Sequence, residues 1–110
     1  MIEDTIGKIE ARIQAGESIS PERKEELLQL LGTLKSEMAA LSKTHVEQAQ
    51  SIAAFADVST HEATRSQLDP QLLKLSLEGL GQSVEGFEKS HPRLVQIVNS
   101  ISNTLSNLGI

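Results

Sequence analysis

Residues 21–55, PERKEELLQLLGTLKSEMAALSKTHVEQAQSIAAF, decide the fold class of this chain of 110 residues. Leucine recurs there at intervals of four and three residues, which places it on one face of an α-helix. The same spacing continues for about four heptads through Leu27, Leu31, Leu34, Met38, Leu41, His45, Gln48, Ile52 and Phe55. A heptad pattern of this length predicts a long, coiled-coil-like helix.

The start of this helix has a clear signal, whereas its end is less certain. Ser20 and Pro21 are typical of a helix start, because the serine oxygen can accept a backbone N–H and proline at the first helical position loses no hydrogen bond. No glycine or proline interrupts the second half of the pattern. We therefore expect a helix over residues 21–66. A break near Asp57–Ser59 is the alternative, since that segment has capping-box spacing and β-branched residues.

A shorter helix is expected on each side of the long one. Isoleucines at intervals of four and three residues predict a first helix over residues 2–15, which Gly16 ends. Asp69 and Pro70 form the same kind of helix start as Ser20 and Pro21, a capping side chain followed by proline, and they predict a third helix over residues 70–89. Its apolar positions are Leu73, Leu77, Leu80, Val84 and Phe87.

The last helix is expected over residues 92–108, because His91 and Pro92 form a helix boundary. Its apolar positions are Leu94, Val98, Ile101, Leu105 and Leu108. With four helices and no credible strand, we predict one all-α domain over residues 1–110. Its expected form is a helical bundle, or an antiparallel coiled-coil-like hairpin built on the long second helix.

The composition excludes several classes of function. The net charge is -5 and no basic patch is present, so nucleic acid is not an expected partner. The uncharged end of the chain contains too many Asn, Ser and Thr residues to span a membrane. The chain has no cysteine and a charged N-terminus, and we therefore expect a cytoplasmic protein.

Small side chains follow the third predicted helix one position before its apolar residues. This small-residue seam consists of Ser76, Gly79, Ser83 and Gly86. Glycine within a helix costs up to about 1 kcal/mol relative to alanine, so a compensating contact is needed. A matching row of alanines beside Ile52 and Phe55 would supply it by close approach of two helices.

The last helix carries no charged residue after Arg93. A helix with an ordinary solvent-facing side usually carries charges there, and charged residues are depleted at the centres of interfaces. We therefore expect the apolar face from Leu94 to Leu108 to be surrounded, either within one chain or against a second copy. The second arrangement is the favoured one, and it predicts a homodimer.

The polar residues at heptad positions have a structural and a chemical interpretation. His45 and Gln48 would fix the register of the long helix, as polar residues at such positions often do. They could instead line a polar pocket for a metal or a small ligand, together with His61. No second histidine completes a zinc-protease motif at His61, and no nucleophile, P-loop or di-iron pattern is present. We therefore expect no enzyme, no cofactor and no metal-ligating residues.

The segment VEGFEKSHPRLV at residues 84–95, with NLGI at the end of the chain, resembles a family of short bacterial helical proteins known as the Domain of Unknown Function 4404 family. The resemblance rests on Phe87, Glu88, His91, Pro92 and Leu94, on Leu108, Gly109 and Ile110, and more loosely on the first two helices. It implies a bacterial cytoplasmic helical protein and brings no activity, substrate or catalytic residue.

The expected function is therefore a non-catalytic module for protein–protein interaction or structure, which associates with itself and can hold another protein. The alternative is a helical bundle that binds a metal or small ligand through the polar core residues His45 and Gln48.

Overall fold

A computed structural model describes residues 2–108 of the chain. Five helices make up the fold: α1 (Ile2–Ala15), α2 (Pro21–Leu41), α3 (Val46–Thr64), α4 (Pro70–Ser83) and α5 (Pro92–Leu108). No strand occurs among these residues, which confirms the all-α prediction. The number of helices was wrong, because the long second helix is two helices.

The boundary between α2 and α3 lies at residues 42–45 and not at Asp57–Ser59, through which α3 is continuous. Hydroxyl side chains contact the last carbonyl groups of α2: Ser42 Oγ donates to Ala39 O at 3.0 Å, and Thr44 Oγ1 donates to Leu41 O at 3.4 Å. Such local bonds offer the backbone an alternative to continued helix. His45 then adopts φ -134° and ψ 64°, outside the helical region, and α3 starts at Val46.

The two proline starts form as predicted. Ser20 accepts a hydrogen bond from Arg23 N at 3.3 Å, and Pro21 is the first residue of α2. The carboxylate of Asp69 accepts bonds from two backbone N–H groups at the start of α4, at 3.0 and 3.2 Å. These side chains bond donors that have no partner inside a helix.

The third predicted helix is shorter than expected, because α4 ends at Ser83 and residues 84–90 form turns. Gly86 has φ +96°, a left-handed conformation that glycine adopts without a steric penalty. Its N–H donates to Glu88 Oε2 at 2.9 Å. Gly86 therefore serves the turn between α4 and α5 and does not extend a helical seam.

The five helices pack around one core, in place of a two-helix hairpin. Helix α3 packs mainly against α4 and α1, and α5 packs against α2, α4 and α3. The large side chains that are fully buried are Ile6, Ile9, Ile13, Leu27, Leu31, Leu34, Met38, Leu41, Ile52, Leu80, Leu94 and Ile101. The α2 part of the heptad pattern is therefore core, as predicted.

The apolar face of α5 is inside this chain. Leu94, Val98, Ile101 and Leu105 are buried, and Leu108 is partly buried against the core. The prediction that this face is an interface with a second copy was wrong, because α2, α3 and α4 already cover it. Among the described residues, none of the helices has the length and apolar content required to cross a membrane.

Polar contacts fix the outer helices onto this core. Asp57 of α3 accepts a hydrogen bond from Arg12 Nε of α1 at 3.0 Å, and Lys8 lies 3.9 Å from the same carboxylate. On the opposite side of the bundle, Thr104 Oγ1 of α5 donates to Glu26 Oε1 of α2 at 3.0 Å.

Candidate functional site

His45 and Gln48 do not share a core position. Gln48 is exposed, and His45 is half-buried at the start of α3. The register role predicted for them was wrong, because the helix that would have carried both residues in one heptad pattern ends at Leu41. The imidazole of His45 instead has Thr44 Oγ1 at 2.7 Å from its Nδ1.

His45 belongs to a group of three rings at the junctions between helices. Its ring centroid lies 5.4 Å from that of Phe87 and 6.2 Å from that of His91, and Phe87 and His91 are 5.5 Å apart. All three pairs are edge-to-face, an arrangement that aromatic rings favour. This ring cluster joins the α2–α3 boundary to the α4–α5 turn. His91, predicted only as a helix boundary, is part of it.

The ring cluster does not include a donor set for a metal among the described residues. It contains two imidazoles without a carboxylate, and residues 2–108 hold no group of three or more His, Asp or Glu side chains suited to a metal. His61 is engaged elsewhere, with Nε2 3.9 Å from Glu62 and Nδ1 3.4 Å from Arg12. Nothing in the geometry brings His45, Gln48 and His61 into one polar pocket.

Two shallow depressions flank the first turn of α1. One, of about 230 Å³, lies between α1 and α2 and is lined by Ile2, Glu3, Lys35, Ala39 and Ser42. The other, of about 260 Å³, lies between α1 and α3 and is lined by Ile2, Thr5, Gln50, Ala53 and Ala54. Both are smaller than typical ligand pockets, which measure roughly 300–1,000 Å³.

The small-residue seam forms a real contact at Gly79. A Cβ atom placed on Gly79 would lie 2.6 Å from Phe55 Cδ1 and would also meet Phe55 Cε1, so the ring of α3 covers the glycine of α4. Ser76 is buried and donates to Leu73 O at 2.8 Å, and the half-buried Ser83 donates to Leu80 O at 2.6 Å. Gly86 has open space around it and does not belong to this contact.

Four large apolar side chains remain exposed beside this contact. On α3, Phe55 is 40% exposed and Val58 is 48% exposed; on α4, Leu72 is 42% exposed and Leu75 is 53% exposed. The link of residues 65–69 is short, so α3 and α4 run antiparallel side by side. Because Phe55 lies over Gly79 and the two helices run antiparallel, we expect Val58 at the level of Leu75. We refer to the four residues together as the α3–α4 apolar surface.

Phe55 was predicted to lie in the core as the last residue of the heptad pattern, and that prediction was wrong. Helix α3 has its own buried face, formed by Ala49, Ile52, Ala53, Ala56, Ser59, Thr60 and Ala63. Phe55 lies at the edge of that face, where it covers Gly79 with one side and meets solvent with the other.

Charges of both signs border the α3–α4 apolar surface. Glu62 and Arg65 form an ion pair of 2.9 Å at the end of α3. Lys74 and Glu78 are exposed on α4 on either side of Leu75 in sequence, and the described part of the chain shows no ion pair for either. Asp69, whose carboxylate accepts a bond from Leu72 N at 3.2 Å, also lies beside this surface. Three acidic and two basic residues therefore border it, a net charge of -1, while the whole chain has a net charge of -5.

The turn between α4 and α5 contains most of the motif that carried the family resemblance. Phe87 and His91 form the ring cluster, Glu88 bonds the N–H of Gly86, and Leu94 is buried. A family model described as "Domain of unknown function (DUF4404)" matches residues 2–110.

The chain belongs to the DUF4404 family. The match includes residues 44–67, so the DUF4404 pattern covers α3 as well. Gly109 and Ile110, which also carried the resemblance, lie outside the described residues. No curated protein and no solved structure gives a significant match to the chain.

Sequence reasoning found Gly79 and missed Phe55, Val58, Leu72 and Leu75 as an exposed group. The signal for Leu72 and Leu75 was present, because both lie off the apolar positions of the third predicted helix. The ring cluster had no comparable signal, since His45 and Phe87 are brought together only by the packing of separate helices.

Proposed function

We propose that this DUF4404 protein is a non-catalytic helical module that associates with a second copy of itself through the α3–α4 apolar surface. The observation that supports this function is the location of the exposed apolar side chains. Six large ones are exposed among residues 2–108, and four of them form this surface. Helices α1, α2 and α5 expose none in their described parts. Exposed apolar patches commonly mark interaction sites.

The charge distribution favours a second copy as the occupant. In a symmetric dimer each surface meets itself, so a surface with charges of one sign would repel its own copy. Two molecules of net charge -5 repel each other. The border of the α3–α4 apolar surface has charges of both signs and a net charge of only -1, so two such chains can approach there with a smaller penalty.

The expected affinity is modest. Completing the burial of one half-exposed Leu, Val or Phe contributes about 1 kcal/mol, so the four side chains of each copy contribute about 8 kcal/mol to a dimer. Association costs roughly 4–15 kcal/mol of lost motion, which takes up at least half of that gain. A dissociation constant of about 1 mM or weaker follows.

Light scattering over a concentration series up to about 1 mM tests the proposal. The wild-type mass should rise from 11.9 kDa toward twice that value. Leu75→Gln should keep the chain monomeric over the same range. Val46→Gln is the matched control, because Val46 is 51% exposed at the first residue of α3, outside the α3–α4 apolar surface.

Two results would contradict the proposal. A wild-type protein that stays at the monomer mass up to the highest concentration would rule out self-association of useful strength. A Leu75→Gln variant that dimerises as the Val46→Gln control does would show that the dimer uses a different surface. Circular dichroism of both variants checks that each remains helical.

A further inference from the structure

We infer that the two copies pair across a two-fold axis perpendicular to α4, so that Lys74 of one copy faces Glu78 of the partner subunit and Glu78 faces the partner's Lys74. This inference rests on the proposed self-association and specifies its geometry. It follows from the positions of charged and apolar side chains along α4.

Two kinds of two-fold axis could bring α4 against its copy. An axis parallel to the helix sets the two copies of α4 in the same direction, and each residue then faces its own counterpart. An axis perpendicular to the helix sets them antiparallel, and each residue then faces a different one. The charges of α4 distinguish these arrangements, because Lys74 and Glu78 have opposite signs and lie about 6 Å apart, one turn along the helix.

In the parallel arrangement, Lys74 would face Lys74 of the partner subunit and Glu78 would face the partner's Glu78. Both contacts would repel. In the antiparallel arrangement with the axis midway between the two residues, both contacts attract. Neither side chain shows an ion pair in the described part of its own chain, and both are exposed. Both are therefore accessible to a partner.

The apolar side chains fit the same arrangement. Leu75, the most exposed of the four at 53%, lies next to the axis and meets the partner at the centre of the contact. With the axis at the level of Ser76, Leu72 comes to the level of the partner's Leu80, away from the centre of the contact. The apolar contact at Leu75 and the two ion pairs therefore form with the same position of the axis.

Charge reversal provides a direct test. Lys74→Glu places two acidic residues opposite each other at both contacts, and Glu78→Lys places two basic residues there. Each single variant should raise the dimer Kd about tenfold at low salt, since two attractive pairs become two repulsive ones. The double variant Lys74→Glu/Glu78→Lys restores opposite charges and should return the Kd to within about threefold of wild type.

The matched controls change the same net charge elsewhere. Lys35→Glu corresponds to Lys74→Glu, and Glu25→Lys corresponds to Glu78→Lys; both control positions are exposed on α2. Sedimentation velocity in 20–500 mM salt measures the Kd of each variant. The difference between a variant and its control should shrink at high salt, because exposed charges are then screened.

The possible failures are distinguishable. If the wild type is monomeric, the proposed function and this inference both fall. If Leu75→Gln abolishes a wild-type dimer while the charge-reversed variants behave like their controls, the α3–α4 apolar surface is the interface and the antiparallel arrangement is wrong. A double variant weaker than either single variant would also overturn the arrangement.

Discussion

Gly79→Ala is the substitution with the sharpest structural expectation, because its two effects have opposite sign. Alanine raises the helix propensity of α4 and should stabilise the fold by about 1 kcal/mol. However, its Cβ atom would lie 2.6 Å from Phe55 Cδ1, far inside van der Waals contact. The Phe55 ring must therefore move, and its exposed side faces solvent.

The size of the second effect follows from the burial of Phe55. The residue is 40% exposed, and an aromatic side chain buries roughly 150–250 Å² at most, so full displacement would expose about 100 Å². At about 25 cal/mol per Å², that exposure costs about 2.5 kcal/mol. The net effect of Gly79→Ala is therefore a destabilisation of about 1.5 kcal/mol, or a melting temperature lower by about 6–12 °C.

Gly81→Ala is the matched control on the same helix. A Cβ atom there meets nothing within 4 Å, so only the propensity gain applies and the protein should become more stable. Urea denaturation in a Leu75→Gln background measures both variants without a contribution from association. In a Phe55→Ala background, Gly79→Ala should stabilise the fold as Gly81→Ala does. A Gly79→Ala variant as stable as Gly81→Ala with Phe55 present would refute the contact.

Three further substitutions test other elements by urea denaturation. Gly86→Ala should lower the free energy of unfolding by about 1 kcal/mol, because residue 86 has φ +96°. Its control is Gly32→Ala, which should stabilise α2 because a Cβ atom there meets nothing within 4 Å. Asp69→Ala should cost about 1 kcal/mol by removing the cap of α4, and Asp69→Asn should restore most of it. Asp57→Ala removes the bond from Arg12, so the free energy of unfolding should fall by about 1 kcal/mol and should depend less on salt than that of the wild type. An unchanged free energy of unfolding would mean that this bond contributes nothing.

The predictable part of the fold is the part that depends on neighbouring residues. A capping residue such as Asp69 accepts bonds from N–H groups two and three residues away. The buried isoleucines of α1 likewise recur about once per helical turn. The boundary at residues 42–45 was not predictable in the same way, because no glycine or proline marks it. The weak signal was the run of polar residues around His45, which a continuous core helix would have had to bury.

The candidate site was predictable only in part, since it depends on which helices become neighbours. The cost of glycine at position 79 indicated a close approach, and the structure identifies the side chain that makes it as Phe55. The exposed leucines were visible as residues away from the apolar face of α4, but a lone exposed leucine is common. They become part of a larger exposed group only because α3 packs against α4 and places Phe55 and Val58 on the neighbouring helix.

The last helix shows why a correct inference about burial did not identify the covering surface. Charge is absent from α5 after Arg93, and its apolar face is indeed covered. A sequence pattern indicates that a helix face is buried, but it does not say by what. A second copy and another part of the same chain can bury that face equally well. The break after Leu41 decided between them, because it lets α3 fold back beside α5 while α2 packs on another side. Once that face is filled from within, the large apolar side chains still exposed among residues 2–108 lie on α3, on α4 and on the link between them, and the proposed association would use those of α3 and α4.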